Sequence, residues 1–155
     1  MARVFIETTI PSYYHESRTD RRSRDWREQT RLWWDRYRGS YELVTSDFVI
    51  AEYLRAPYTK AAQAAKFFQE IEVLSPPPRL EEVIQYYIDQ KLMPRDASGD
   101  AAHLAMGSLH SVDFILTWNC RHLANANKVP HLQAINKRLG LPIPIITTPF
   151  ELIPE

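Results

Sequence analysis

Three acidic residues lie where this sequence could assemble a metal site: Glu7, Glu52 and Asp100. Glu7 directly follows the apolar run 4–6, and open parallel sheets bind ligands beyond the carboxyl ends of their strands. Glu52 lies in the apolar segment 48–54, where a buried carboxylate is costly unless it is paired or binds a metal. Asp100 opens a predicted helix, where the helix dipole favours an acid. Each acid also has an ordinary explanation as a solvated or paired residue, so a metal site is indicated only if the three acids converge.

The electrostatics of convergence point to a cation. Two carboxylates about 4 Å apart repel by roughly 4 kcal/mol at an effective dielectric constant near 20. Three acids in one cleft would raise each other's pKa unless a cation lies among them. Oxygen ligands select Mg²⁺ or Mn²⁺ over Zn²⁺, and such ions activate water and stabilise charge on a phosphoryl group. If the three acids converge, the sequence predicts a Mg²⁺ or Mn²⁺ site.

Other polar residues could extend this site. Asn119 directly follows a predicted strand, and it would face the end of the first strand if the two strands are neighbours. Asp96 is either a fourth acid or a turn residue. Arg121 and His122 could contact a substrate phosphate, or they could form the solvent-exposed start of a helix. His103 follows Asp100 by one helical turn; it is interpreted as a core histidine, with a role beside the metal as the alternative.

The elements that would position these residues alternate along the chain. Short apolar runs alternate with longer helical patterns, which predicts an α/β architecture with a parallel sheet. The predicted strands cover residues 3–7, 41–45, 71–74, 114–117 and 144–146. The predicted helices cover residues 23–37, 47–55 (Ser46 as N-cap), 59–70, 80–90 and 99–109 (Ser98 as N-cap), a short segment near Arg121, and 132–139.

Length and composition fit a single domain over residues 1–155. The chain has one cysteine, Cys120, so no internal disulfide can form, and no apolar run approaches the roughly 20 residues that cross a bilayer. We therefore expect a cytoplasmic protein without a membrane segment. Its 19 basic residues balance its 19 acidic residues. Because nucleic-acid binding usually requires a basic excess, a local basic face or a metal ion would have to supply the positive charge.

Four segments resemble the motifs of PIN domains in order and spacing, and the match spans essentially the whole chain. They are residues 4–9 with the first acid, 48–53 with a helical Glu, 100–105 with the third acid, and 115–119. The resemblance implies a three-layer α/β/α sandwich with a central parallel sheet and a metal-dependent ribonuclease site. The chain looks most similar to VapC-like PIN proteins, the toxins of bacterial type II toxin–antitoxin pairs.

The resemblance also implies roles for individual residues. The three acids would bind the metal and position the attacking water. Asn119 would be a ligand or would lie just behind the ligands, and Thr9 and Thr117 would orient the acids by hydrogen bonds. The sequence departs from the family twice, because Glu7 and Asn119 each occupy a position where PIN domains usually have Asp. An amide in place of an anion should weaken the binding of a second metal ion.

One face of the helix predicted over 23–37 carries three aromatic residues and a threonine, namely Trp26, Thr30, Trp33 and Tyr37, among eight arginines. Three interpretations remain open for it. The face could bind RNA by stacking and phosphate contacts. It could form a dimer or antitoxin surface, since Trp and Arg are enriched at interaction hot spots. It could also pack its aromatics on the sheet and leave its arginines in solvent.

The four motifs and the resemblance to VapC-like PIN proteins predict a metal-dependent endoribonuclease that is restrained by an antitoxin protein and forms a homodimer. The first alternative is a PIN-fold module that has lost catalysis and binds RNA or protein, because Asn119 replaces an acid. A second alternative is a metal-dependent hydrolase of small phosphoesters, because a fold does not determine a function.

Overall fold

Strand β1, Arg3–Ile6, is the centre of the sheet. In the computed structural model, which describes residues 1–57 and 61–155, the side chains of Val4, Phe5 and Ile6 are fully buried. A strand that is apolar and buried at successive positions is covered on both faces, as parallel strands between helical layers are. The other strands of the described residues are β2 (Glu42–Ser46), β3 (Glu72–Leu74), β4 (Phe114–Leu116) and β5 (Ile145–Thr147), all parallel, in the order β3-β2-β1-β4-β5.

Seven α-helices within the described ranges flank this sheet. They are α1 (Thr9–Tyr14), α2 (Arg21–Leu32), α3 (Asp47–Leu54), α4 (Ala61–Phe68), α5 (Leu80–Asp89), α6 (Ser98–Leu109) and α7 (Val129–Leu139). The predicted α/β/α arrangement around a central parallel sheet is confirmed. None of the helices in the described part of the chain is both long and apolar enough to span a membrane.

The strand order creates a switch point between β1 and β4. From β1 the chain builds β2 and β3 outward to one edge, and it then returns to build β4 and β5 on the other side of β1. The register pairs Ile6 with Leu116, and the amide of Glu7 continues the pairing with a 3.2 Å hydrogen bond to the Leu116 carbonyl. Glu7 and Thr117 therefore follow their strands side by side. In open α/β sheets this is the crevice that binds ligands.

Two local features fix the helices that border this crevice. Ser46 ends β2 and caps α3, since its hydroxyl accepts a hydrogen bond of 3.3 Å from the Val49 amide, which confirms the predicted N-cap. Gly107 lets α6 lie close to β4, because a Cβ at this position would approach the Ile115 Cδ1 atom to 2.7 Å. Helix α6 is thereby seated tightly on the strand that ends beside Glu7.

The helix predicted over residues 23–37 is divided. Helix α2 ends at Leu32, and the chain continues as a π-helical turn over Trp33–Tyr37 and a 3₁₀ turn over Arg38–Ser40. Trp33 is fully buried and donates its indole N–H to the Leu152 carbonyl at 2.8 Å, so for Trp33 the packing interpretation is confirmed. Trp26 differs from it, because its side chain is only half buried.

The structure differs from the predicted elements in two further places, and two predicted features lie outside the described residues. Helix α1 was not predicted; it has only six residues, too few to show a periodic pattern. The short helix predicted near Arg121 is wrong, because the segment forms a turn in which the Asn119 carbonyl accepts two backbone hydrogen bonds. The first two residues of the helix predicted over 59–70 lie outside the described residues, as does the side chain of Ser98, the predicted N-cap.

Candidate metal centre

Glu7 is buried at the carboxyl end of β1, with 2% of its surface exposed. Its Oε2 atom accepts three hydrogen bonds, from the Thr9 amide at 3.0 Å, the Thr9 hydroxyl at 2.6 Å and the Thr117 hydroxyl at 2.7 Å. Burial is the largest influence on the pKa of Glu7 and raises it, although the charge of His103 and these hydrogen bonds oppose the increase. The carboxylate is thus held in one orientation at some electrostatic cost.

Helices α3 and α6 bring a second carboxylate and an imidazole to Glu7. Glu52 is half buried on α3, and its Oε1 atom lies 3.3 Å from the Nε2 atom of the fully buried His103. The first turn of α6 can approach this carboxylate because residue 99 is glycine; a Cβ there would lie 2.9 Å from the Glu52 Oε2 atom. The two apolar residues that lie one turn before Glu52 on α3 differ in burial, since Val49 is buried and Phe48 is exposed.

The charges of this group are coupled. The hydrogen bond with His103 lowers the pKa of Glu52, against the effect of its partial burial. Burial alone would lower the pKa of His103, but the hydrogen bond to Glu52 and the negative charges of Glu7, Glu52 and Asp100 outweigh burial and raise it. The acidic surroundings thus favour the protonated form of His103, whose positive charge would lie beside the two carboxylates as a bound cation would.

The residues present fit a divalent metal ion. Ligand atoms of Glu7, Glu52 and His103 all lie within 4.8 Å of one another, and in the described part of the chain no other three His, Cys, Asp or Glu residues form such a group. The Nδ1 atom of His103 is buried without a hydrogen-bond partner among the described residues, which indicates that the ring's surroundings are incomplete. Carboxylates suit Mg²⁺ and Mn²⁺, whereas an imidazole suits transition metals. The donor set is therefore mixed and not the all-oxygen set expected from the sequence.

Asp100, the third predicted acid, lies beside this group and not within it. Its Oδ2 atom is 2.9 Å from the Nδ1 atom of His122, and both side chains are partly buried. Asp100 precedes His103 by one turn of α6, and its charge contributes to the raised pKa of His103. Asp96 is exposed and lies in a 3₁₀ turn, Arg95–Ala97, outside the group.

Asn119 and the two threonines connect these parts. The Asn119 side-chain oxygen accepts a hydrogen bond of 3.1 Å from the His122 backbone amide. The backbone amide of Asn119 donates a hydrogen bond of 2.9 Å to the Thr117 hydroxyl. The Thr9 hydroxyl, which donates to Glu7, accepts a 2.8 Å hydrogen bond from the Trp118 amide. Thr9 and Thr117 thus both hydrogen-bond to Glu7, and Asn119 binds the backbone amide of His122.

Sequence reasoning missed His103 as a member of the acidic group. Its spacing of one helical turn from Asp100 was the available signal, but the same spacing is typical of a core residue.

Arg121 is exposed and His122 is partly exposed on the turn after β4.

The fold and this group of residues define a class, namely α/β proteins of PIN-like fold with carboxylates at the switch point of the sheet. No family model matches the sequence, and no curated protein matches it. Two solved structures have a similar fold. A chain in the crystal structure of VapBC2 from Rickettsia felis bound to a DNA fragment from its promoter is 13% identical, with a TM-score of 0.53, and the match covers 94% of this chain and 98% of that chain.

A second similar chain occurs in the crystal structure of FitAcB from Neisseria gonorrhoeae. It is 14% identical, with a TM-score of 0.56, and the match covers 96% of this chain and 99% of that one. Likeness at these identities is a likeness of fold. It confirms the fold that the resemblance to VapC-like PIN proteins implied.

Proposed function

We propose that this chain is a metal-dependent endoribonuclease that hydrolyses RNA phosphodiester bonds and acts as the toxin of a toxin–antitoxin pair. The observation that carries the proposal is the convergence of Glu7, Glu52 and His103 at the switch point of the sheet. The fold shared with chains of the VapBC2 and FitAcB complexes supports an antitoxin protein as partner. Because the net charge of the chain is zero, the positive charge that binds RNA would come from the metal ion and from local arginines.

A divalent cation, Mg²⁺ or Mn²⁺, would supply a Lewis acid that activates water and neutralises charge on the phosphoryl group. Glu7 and Glu52 would bind it through carboxylate oxygens and His103 through a ring nitrogen. Thr9 and Thr117 fix Oε2 of Glu7, so this ligand is oriented before the ion binds. A preoriented ligand does not have to be ordered during binding, which favours affinity.

Asp100 is retained as a third acid of the site, because its negative charge reaches His103 across one turn of α6. Asn119 acts through His122, whose amide it binds and whose ring contacts Asp100. Arg121 follows Asn119 on the exposed side of the turn, where its guanidinium is available to a substrate phosphate.

The deciding experiment is cleavage of an end-labelled RNA pool by the purified protein with Mn²⁺, with Mg²⁺ and with EDTA. Glu52→Gln and Asp100→Asn should each lower the metal-dependent rate by on the order of 10² or more, as for the loss of a key electrostatic group. Glu81→Gln, which neutralises an exposed acid on α5, is the matched control and should leave the rate unchanged. Cleavage that persists in EDTA, or in both site variants, would sink the proposal.

A second candidate function is a PIN-fold binding module without catalysis. It is favoured by Asn119 at a position where an acid is expected and by the engagement of Asp100 with His122. Titration calorimetry separates the two functions. Stoichiometric Mn²⁺ binding that disappears in Glu52→Gln supports the nuclease, whereas no Mn²⁺ binding together with no RNA cleavage supports the binding module.

A further inference from the structure

A shallow cavity of about 490 Å³, open to the protein surface, lies beside the candidate metal centre, between α1, the first turns of α2 and the turn after β4. Two of its lining residues, Thr9 and Asn119, belong to the hydrogen-bond network around Glu7. The cavity is therefore connected to the acidic group through Thr9, whose hydroxyl donates a hydrogen bond to Glu7. A polymer that reaches the acidic group with one of its units has room for a neighbouring unit here.

An ordered aromatic stack forms one wall of the cavity. The rings of Trp26 and Trp118 are stacked with centroids 4.5 Å apart and planes 13° apart, and Tyr13 meets Trp26 edge-on at 5.1 Å. Trp118 is buried and held at both ends, by its indole N–H to the Thr30 hydroxyl and by its amide to the Thr9 hydroxyl, each at 2.8 Å. The half-buried Trp26 is the outer member of a rigid platform.

Arginines supply positive charge at the same place. The Arg22 guanidinium carbon lies 4.3 Å from the centroid of the Trp26 ring, and Arg121 lines the cavity from the turn after β4. Two neighbouring arginines are paired with acids, Arg18 with Glu16 and Arg21 with Asp25. Within the part of the chain that the structure describes, Arg22 and Arg121 have no acidic partner within the 4.0 Å that defines an ion pair.

We propose that this cavity is a nucleotide subsite for single-stranded RNA, in which one base stacks on Trp26 while Arg22 and Arg121 bind the adjoining phosphates. The subsite rests on the proposed function, since it takes RNA as the substrate. Stacking of a base on an aromatic side chain is stronger than an exposed cation–π contact. The base therefore replaces the Arg22 guanidinium on the indole face, and the released guanidinium binds a phosphate.

The chemistry of the platform also defines which RNA it accepts. A base offers its face to Trp26 only when it is unpaired, because a base within a duplex is stacked on its neighbours on both sides. Stacking tolerates any base, since every base has a π face. The subsite thus selects single-stranded over double-stranded RNA and contributes little preference for sequence.

The test uses the full chain in EDTA, where binding is measured without metal-dependent cleavage, and a single-stranded adenylate hexanucleotide as the probe. Wild-type protein should bind it with quenching of tryptophan fluorescence, because Trp26 is half exposed while the other three tryptophans are buried. Trp26→Leu should weaken binding on the order of 10- to 100-fold and abolish the quenching. A duplex of the same length should not quench.

Two arginine variants keep the test independent of any folding defect in Trp26→Leu, because both side chains are exposed. Arg22→Gln and Arg121→Gln should each weaken binding and reduce the slope of log affinity against log salt by about 0.7, the value for one phosphate contact with a single strand. The matched control is Arg24→Gln, an exposed arginine on the same helix, which should bind as the wild type does.

The subsite would be overturned by wild-type protein that does not bind the hexanucleotide, by binding without quenching, or by Arg22→Gln and Arg121→Gln that behave like Arg24→Gln. These outcomes are distinct from a failure of the proposed function. If wild-type protein with Mn²⁺ does not cleave RNA while the variants lose binding, the nuclease proposal fails and the subsite stands. If cleavage depends on metal but the arginine variants bind as the wild type does, the nuclease stands and the subsite fails.

Discussion

Replacing Glu7 by glutamine should stabilise the metal-free protein while it removes a metal ligand. The amide oxygen of glutamine can accept the same three hydrogen bonds that Thr9 and Thr117 now donate to Oε2. The change therefore conserves shape and network and removes one buried negative charge. Because burial raises the pKa of Glu7 in spite of its hydrogen bonds, the ionised carboxylate destabilises the folded state at neutral pH.

The size of the effect follows from the geometry of the group. Oxygens of Glu7 and Glu52 lie within 4.8 Å, where two negative charges repel by roughly 3.5 kcal/mol at a dielectric constant near 20. Attraction to a protonated His103 offsets part of this repulsion. The net gain is set by how far burial raises the pKa of Glu7, and each pH unit between the folded and unfolded pKa corresponds to about 1.4 kcal/mol at pH 7. In a domain of this size each kcal/mol raises the Tm by roughly 2–4 °C.

The sign of the pH dependence is fixed by the raised pKa. The wild-type carboxylate costs no stability below the unfolded pKa of 4.5, and the cost develops as the pH rises through the higher folded pKa. Glu7→Gln should thus melt above the wild type at pH 7, and the difference should vanish below pH 4.5.

Thermal unfolding in EDTA and in excess Mn²⁺ measures both consequences. At about 100 times its Kd, Mn²⁺ should stabilise the wild type by about 2.7 kcal/mol, and the variant should gain less because it has lost a ligand. Glu81→Gln on the exposed face of α5 should change the Tm little in either buffer. A variant that melts below the wild type in EDTA at pH 7 would refute the reasoning.

Three further changes test other parts of the structure. His103→Gln should lower the affinity for Mn²⁺ more than that for Mg²⁺ in calorimetry, because imidazole suits transition metals; equal losses would contradict a metal-binding His103. Tyr87→Phe removes the hydroxyl that donates to the buried Asn136 side chain at 2.6 Å, and urea unfolding should show a loss of about 1–3 kcal/mol. Burial raises the pKa of Tyr87 from 10.0 to about 12, so the wild type should lose more stability than this variant between pH 10 and 12 as the unfolded tyrosine ionises. Gly107→Ala places a Cβ 2.7 Å from a buried side-chain carbon and should cost about 1–3 kcal/mol. Gly39→Ala, which has nothing within 4 Å of its added Cβ, should change stability by less than about 0.5 kcal/mol.

The sheet and the location of Glu7 could be predicted because they depend on local patterns. An apolar run that ends in an acid indicates a buried parallel strand with its acid at the carboxyl end, and β1 has this form. The contact between Glu7 and Thr117 also requires β1 to lie beside β4. Strand order is a property of the whole chain, and the sequence indicated it only through the resemblance to PIN domains.

The composition of the acidic group was harder to predict. Helical periodicity indicates that His103 is buried but does not identify the carboxylates that α3 and β1 bring to its ring. The pairing of Asp100 with His122 depends on the turn after β4, which was predicted as a helix. In both cases the partner comes from a distant segment, so no spacing within one helix could reveal it.

The hydrogen bond between Thr117 and Glu7 joins residues that are 110 positions apart. The chain is synthesised from its N-terminus, so Glu7 and Glu52 leave the ribosome before the residues of β4 have been synthesised. The crevice cannot form until β4 has paired with β1, and long-range parallel pairing is slow compared with local helix formation. A nascent chain therefore contains Glu7 and Glu52 before they can adopt the arrangement that they have in the folded metal centre. If the chain is a ribonuclease, its folding order delays its activity until most of the protein has cleared the machinery that made it.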